Sequence, residues 1–237
     1  PFDPIAGSAD LIRGDAASLE RKLTRLREFV QACSQHFPDR VRTDSFLDSL
    51  ADGARTLRDM ETDIRDWLIH DPKLIALCHW NAHVDNSFFW REDGELHCGF
   101  IDWGRVGQIT LGSALWGALS AAHHDIWDNH LDTLLNVFVK EYAAAGGPEL
   151  SAETLEHHLM LHIATMGVAR VLVFPDVVTF RCPDIKTLTG PHDPAILDSE
   201  NARNCLHILI TFLKLWEARD FTRRIATMQE IAGAAHA

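Results

Sequence analysis

The chain has 237 residues, 46% of them hydrophobic and 24% charged, enough for one large domain or two small ones with a sizeable core. Its formal net charge of -12 argues against a general nucleic-acid binder or a partner on an anionic membrane surface. Cys33, Cys78, Cys98, Cys182 and Cys205 form no C-x-x-C pair, so reduced thiols in a cytoplasmic protein are expected. No signal peptide is visible, and no uninterrupted apolar run reaches the roughly 18 residues of a membrane span. The start at Pro1 rather than Met reads as a processed product, an expressed fragment or part of something longer.

In chain order, the first seventy residues read as helical. Leu19, Leu23, Leu26, Phe29 and Val30 recur at helical spacing over 16–37, with Asp15 as the N-cap. Phe46, Leu50, Leu57, Met60, Ile64 and Leu68 repeat the pattern over 45–69, capped by Thr43 or Asp44. Asp71-Pro72 breaks this texture. A buried strand is expected over 74–78. A hairpin is expected from 87–90 and 96–101, because Asp93-Gly94 lies between two apolar runs.

Helix returns over 111–123, a small-residue apolar stretch, and over 130–145, where Gly146-Gly147 supplies the stop. Another helix is expected from Ser151 to about Val173. The four prolines of 175–194 predict an irregular loop, and helices over 198–218 and 221–232 close the chain. The expected fold class is α+β, mostly α-helical, in one domain.

Two short stretches carry chemistry. The first is Cys78-His79-Trp80-Asn81-Ala82-His83-Val84-Asp85-Asn86; the second is Gly99-Phe100-Ile101-Asp102-Trp103-Gly104. Phosphoryl transfer needs one group to orient the attacking hydroxyl and oxygen donors to hold magnesium between the nucleotide phosphates. Magnesium favours hard oxygen ligands, which suits Asn and Asp side chains. A loop after a strand can present two such groups five residues apart, as Asn81 and Asn86 are. The hairpin then returns the chain so that Asp102 faces the same site.

These stretches resemble the H-G-D-x-x-x-x-N and I-D-W/F motif pair of the aminoglycoside and choline phosphotransferase-like kinases, a protein-kinase-like family. His79 matches the motif histidine, Asn86 the magnesium-binding asparagine, and Asp102 the aspartate of the I-D-W triplet. Ile101, Trp103, Gly104 and His83 also fit. The match is motif-level over 74–104 and rests on helical layout elsewhere. It implies a protein-kinase-like C-terminal lobe with a small β-hairpin carrying the metal-binding loop. The helical linker and insert would span 1–73, the catalytic and metal-binding loops 74–104, and a helical subdomain 105–237. ATP and Mg²⁺ are the implied cofactors, held at Asn86 and Asp102. The implied partner is a small-molecule substrate with an acceptor hydroxyl, with His79 bracing the loop.

Three positions depart from the family pattern. Asn81 stands where the family has its catalytic aspartate, and an amide cannot accept a proton at neutral pH. Asn81 therefore orients the hydroxyl, marks a lost catalytic site, or is an engineered substitution. Trp80 replaces the motif glycine. Arg105 to Trp116 holds no Asp or Glu, where the family usually carries a further acid. Residues 1–73 also contain neither a Gly-rich phosphate loop nor a V-A-I-K-like strand. The N-terminal lobe is thus expected upstream in a longer protein, or lost. A pseudokinase or detached C-lobe that binds a ligand or partner protein is the competing expectation.

Other features read more plainly. His158 and His162 stand four apart, a spacing that can suit zinc. With no H-E-x-x-H and no evident third ligand, a satisfied helix surface is expected. His123-His124 read as helix capping, and Asp125, Asp128 and Asp132 as a solvated face or an attraction for a cationic substrate. Of Trp80, Trp90, Trp103, Trp116 and Trp127, most are expected in the core. The absence of G-x-S-x-G argues against a hydrolase.

Overall fold

The structure, a computed structural model, describes residues 15–235. Helix α1 (Ala16–Ala32) begins where Asp15 Oδ1 accepts the Ser18 N–H at 2.8 Å. It ends sooner than the expected 37, in a short 3₁₀ turn at Ser34–His36. Helices α2 (Asp44–Asp59) and α3 (Glu61–His70) divide the long helix expected over 45–69 at Met60, and the cap of α2 is Thr43. Strand β1 (Ile75–His79) follows, then β2 (Ser87–Glu92), β3 (Glu95–Phe100) and β4 (Val106–Thr110). Beyond them lie α4 (Leu111–Leu119), a π-helical turn at Ile126–His130, α5 (Leu131–Ala144) and α6 (Ala152–Arg170). The chain closes with α7 (Phe174–Arg181), α8 (Pro194–Leu197), α9 (Glu200–Ala218) and α10 (Phe221–Ala235).

The class is therefore α+β and mostly helical, as the periodicity predicts. Two local readings are corrected. The segment 175–194 is not irregular throughout, because Pro175 sits in the first turn of α7, where a missing N–H costs no hydrogen bond. Strand β4 was not expected at all. Its five residues carry Gly107 and Gln108, so they show neither clean alternation nor a continuous apolar run.

Contacts divide the described chain into two compact units, Arg65–His162 and the combination of 15–64 with 163–235; the divisions fall within α3 and α6. The second unit is helical. Leu23, Leu26 and Phe29 of α1, Leu50 and Leu57 of α2, and Leu209, Phe212 and Trp216 of α9 are buried in it. Arg55 forks onto Glu20 with two 2.8 Å bonds that hold the Glu20 carboxyl below its usual range. Both partners are half-exposed, so the pair contributes little to stability.

The first unit holds two separate two-stranded antiparallel sheets. β1 pairs with β4 from Ile75↔Thr110 to His79↔Val106, and β2 pairs with β3 from Ser87↔Phe100 to Glu92↔Glu95. Asp93 and Gly94 both have positive φ, 52° and 88°, as a tight primed hairpin turn requires. The unit also holds α4, α5 and the start of α6, and α4 packs against β1 and β4. Gly112 of α4 lets its backbone approach α6: a Cβ there would lie 3.1 Å from the His158 carbonyl oxygen.

Ala152–Arg181 is long and apolar enough, by length and composition, to cross a membrane, with mean hydropathy 1.6; half of that window is buried. His158 and His162 lie in this stretch. They are buried, 3% and 8% exposed, and do not form the helix surface expected of them. His158 stacks on Trp67 of α3 at 4.2 Å.

Candidate active site

β1 delivers its last residue, His79, into the interior, 9% exposed. Its ring faces the hairpin end. Nε2 lies 2.8 Å from the Ile101 carbonyl oxygen, while Nδ1 lies 3.2 Å from the Asn81 amide N. An amide N–H only donates, so Nδ1 accepts and Nε2 carries the hydrogen bonded to Ile101. Trp103 packs edge-on against this ring at 4.9 Å, and its Nε1–H donates to the Phe100 carbonyl at 3.0 Å. The imidazole is thus fixed in tautomer and orientation.

The loop after β1 folds on itself. His83 accepts the Asp85 N–H through Nδ1, and its carbonyl accepts from both Asn86 N and Ser87 Oγ at 2.9 Å. This turn carries Asn86 back to the start of the loop, where its Nδ2 donates to the Asn81 carbonyl at 2.8 Å. The Asn86 carbonyl in turn accepts the Ile101 N–H at 2.9 Å, extending the hairpin ladder by one bond. His79, Asn81, Asn86 and Ile101 therefore close a ring of hydrogen bonds, with Asp102 the next residue along. Of the four site residues expected from sequence, His79, Asn81 and Asn86 are tied together, and Asp102 follows Ile101 with no bond to them among the described residues.

Two side-chain oxygen groups at or next to this ring have no partner among the described residues. Asn86 Nδ2 donates to the Asn81 carbonyl, and its Oδ1 has no partner among the described residues. Asp102 has φ 58° and ψ 54°, the left-handed region, and its carboxylate bonds to no described residue. The other positive-φ aspartates differ. Asp93 occupies the hairpin turn, and Asp220 Oδ1 caps the Arg223 N–H at 3.2 Å. Asp102 alone of the three neither occupies the hairpin turn nor caps an N–H with its side chain.

Sequence reasoning missed what anchors the loop. A Cβ on Gly117 of α4 would fall on the Trp80 carbonyl oxygen, and 3.0 Å from its carbonyl carbon. Only glycine allows that approach, and the small-residue texture of 111–123 was its one signal in the sequence. The tryptophans are corrected in part: Trp116 and Trp127 are core, whereas Trp90 and Trp103 are 42% and 54% exposed.

Other groups are less available for chemistry. Burial pushes the Cys78 thiol up to about 11, so it is not a nucleophile at neutral pH. Asp125 accepts from Asn129 Nδ2 at 2.7 Å and faces His130 at 3.2 Å, which together hold its carboxyl below the usual range. His123 Nδ1 accepts the Asp125 N–H, the capping expected there. Among the described residues no group of three or more His, Cys, Asp or Glu side chains is placed to hold a metal ion. A groove of about 540 Å³ between α1 and α2 is lined by Arg27, Asp48, Glu20 and Arg55, whose charges bond to one another. Comparison with protein-family models, with curated proteins and with solved structures returns no match.

Proposed function

We propose that this chain is the C-terminal lobe of a small-molecule phosphotransferase of the aminoglycoside and choline kinase kind, moving the ATP γ-phosphate to a substrate hydroxyl. The observation that supports the reading is the hydrogen-bonded ring that ties Asn86, whose Oδ1 has no partner among the described residues, to Ile101, the residue before a left-handed Asp102. Two hard-oxygen side chains fit magnesium, which fills its remaining positions with phosphate oxygens and water. In this reading Asn86 and Asp102 hold Mg²⁺ with ATP, Asn81 orients the hydroxyl and His79 positions the loop.

Ten of the fourteen most exposed large apolar side chains among the described residues lie between Leu77 and Val106. A concentration of this kind marks a surface made to be covered. It supports an upstream N-terminal lobe as the partner of this region. The net charge supports no role for nucleic acid or an anionic membrane surface, and five unpaired cysteines support a cytoplasmic setting.

The test is a thermal shift of the longest natural chain with ATP, with and without Mg²⁺. A Mg²⁺-dependent rise in Tm that disappears in Asp102→Ala is expected. Asp102→Gly should go further: it relieves the left-handed strain and so stabilises the protein by about 0.5–1 kcal/mol, while losing the same Mg²⁺ response. No shift in a chain with an upstream lobe would reject the reading. Asn81 favours the competing one, a non-catalytic ligand or partner-binding module, because losing a general base costs about 10²–10⁴ in rate. Turnover that rises in Asn81→Asp decides for the enzyme.

A further inference from the structure

We propose that Asn81 is a deamidation site, and that its product, an aspartate at this position, supplies the proton acceptor the site lacks as translated. The chemistry rests on the loop geometry alone; its consequence for turnover rests on the phosphotransferase reading.

Deamidation begins when the main-chain nitrogen of the following residue attacks the asparagine Cγ. Both groups must be free. The Asn81 main chain is held, its N–H at His79 Nδ1 and its carbonyl by Asn86 Nδ2, but its side-chain amide has no partner among the described residues. The Ala82 N–H, which lies outside any helix or strand, has none either. Ala82 also has the smallest side chain that is not glycine, so it crowds the approach least.

The other asparagines are protected. Asn86 commits Nδ2 to Asn81, and the next N–H, of Ser87, bonds to the Val84 carbonyl. Asn129 and Asn136 donate Nδ2 to Asp125 and to the Asp132 carbonyl. Asn204 lies in α9, where the helical ladder occupies the next N–H; Asn201 lies in its first turn, where the Ala202 N–H takes no ladder bond but the helical main chain fixes that nitrogen in place.

The step balances without a redox partner. A bond forms between Ala82 N and Asn81 Cγ, the Cγ–Nδ2 bond breaks, and ammonia leaves with the proton from Ala82. Water then opens the ring. Opening at the former side-chain carbonyl restores the main chain with an aspartate; opening at the main-chain carbonyl gives isoaspartate. The first product places a carboxylate where the amide stood, able to accept a hydroxyl proton.

The experiment incubates the full chain at mildly alkaline pH and follows the peptide between Lys73 and Arg91 by fragment-resolved mass spectrometry. The same peptide, free in solution, is the reference. Asn81 in the folded protein should gain about 1 Da at a rate close to that of the free peptide, while Asn86 stays unchanged. Ala82→Gly should convert several-fold faster, and Asn81→Gln should not convert on the same timescale. An unchanged Asn81 after the free peptide has converted, or equal gain at Asn81 and Asn86, overturns the proposal. Aged protein should gain Mg²⁺-ATP turnover in step with its aspartate fraction, towards that of Asn81→Asp. Mass gain at Asn81 with no turnover in Asn81→Asp overturns the phosphotransferase reading, and with it the role given to the new carboxylate.

Discussion

Gly117→Ala should destabilise the Arg65–His162 unit by about 3 kcal/mol or more, near the upper end of what overpacking costs. The atoms a Cβ would strike are the carbonyl oxygen and carbon of Trp80, part of the main chain, so no side-chain rotation can relieve the contact. Either α4 shifts or the loop after β1 does. Gly112→Ala is the matched control. It lies in the same helix and gains the same helix propensity, about 1 kcal/mol. Its Cβ would meet His158 backbone atoms at 3.1–3.2 Å, a gap that a few tenths of an ångström would relieve. Gly112→Ala should therefore be close to neutral. The difference in denaturation midpoint between the two variants isolates the Trp80 contact, and equal midpoints would refute its importance. In Gly117→Ala the displaced Trp80 also pulls on Asn81, so the Mg²⁺-ATP response should weaken with the fold still formed.

Acidification should destabilise the protein before most of its carboxylates titrate. Burial holds both His158 and His162 down to about 4, from an ordinary 6.5. His157 adds to this at His158, while Asp71 opposes it. Both rings are neutral in the fold, and His158 Nδ1 is buried without a partner. Between those values the unfolded chain binds protons that the folded chain refuses, so stability rises with pH across this window. Above about pH 7.5 the two histidines contribute no slope. As pH falls from 6.5 towards 4.5 they remove about 5 kcal/mol together, at 1.36 kcal/mol per unit per group. Below about 4 the loss levels off. Urea unfolding at a series of pH values measures this directly. The double variant His158→Phe with His162→Leu keeps an aromatic ring on Trp67, fills the volume and should flatten the slope. An unchanged slope would show that other groups carry the acid sensitivity.

The sequence is legible where a physical signal is local. Asp15 and Thr43 cap their helices as their chemistry predicts, and Asp93-Gly94 turns the hairpin because both residues tolerate positive φ. The spacing from His79 to Asn86 and the hairpin return to Asp102 are also local, so the grouping of these residues could be read from the chain. Other features have no local signal. β4 is a strand because β1 lies beside it in register, not because Val106–Thr110 has a strand pattern. Pro175 suggests a break until its place in a first turn is known.

His158 and His162 sit at a spacing that fits a polar helix surface as well as a core, and only the packing of α6 decides that they are buried. The left-handed backbone of Asp102, the tautomer of His79 and the need for glycine at 117 are likewise tertiary facts. The His79 ring is held by Ile101 and Gly117 faces Trp80, both far away in sequence. By itself the sequence determined a mostly helical α+β chain and which residues would meet at the hairpin end, because capping, turn chemistry and spacing act over a few residues. The tertiary structure alone decided which of their atoms are tied and which are free, because hydrogen bonds and packing across distant segments set that.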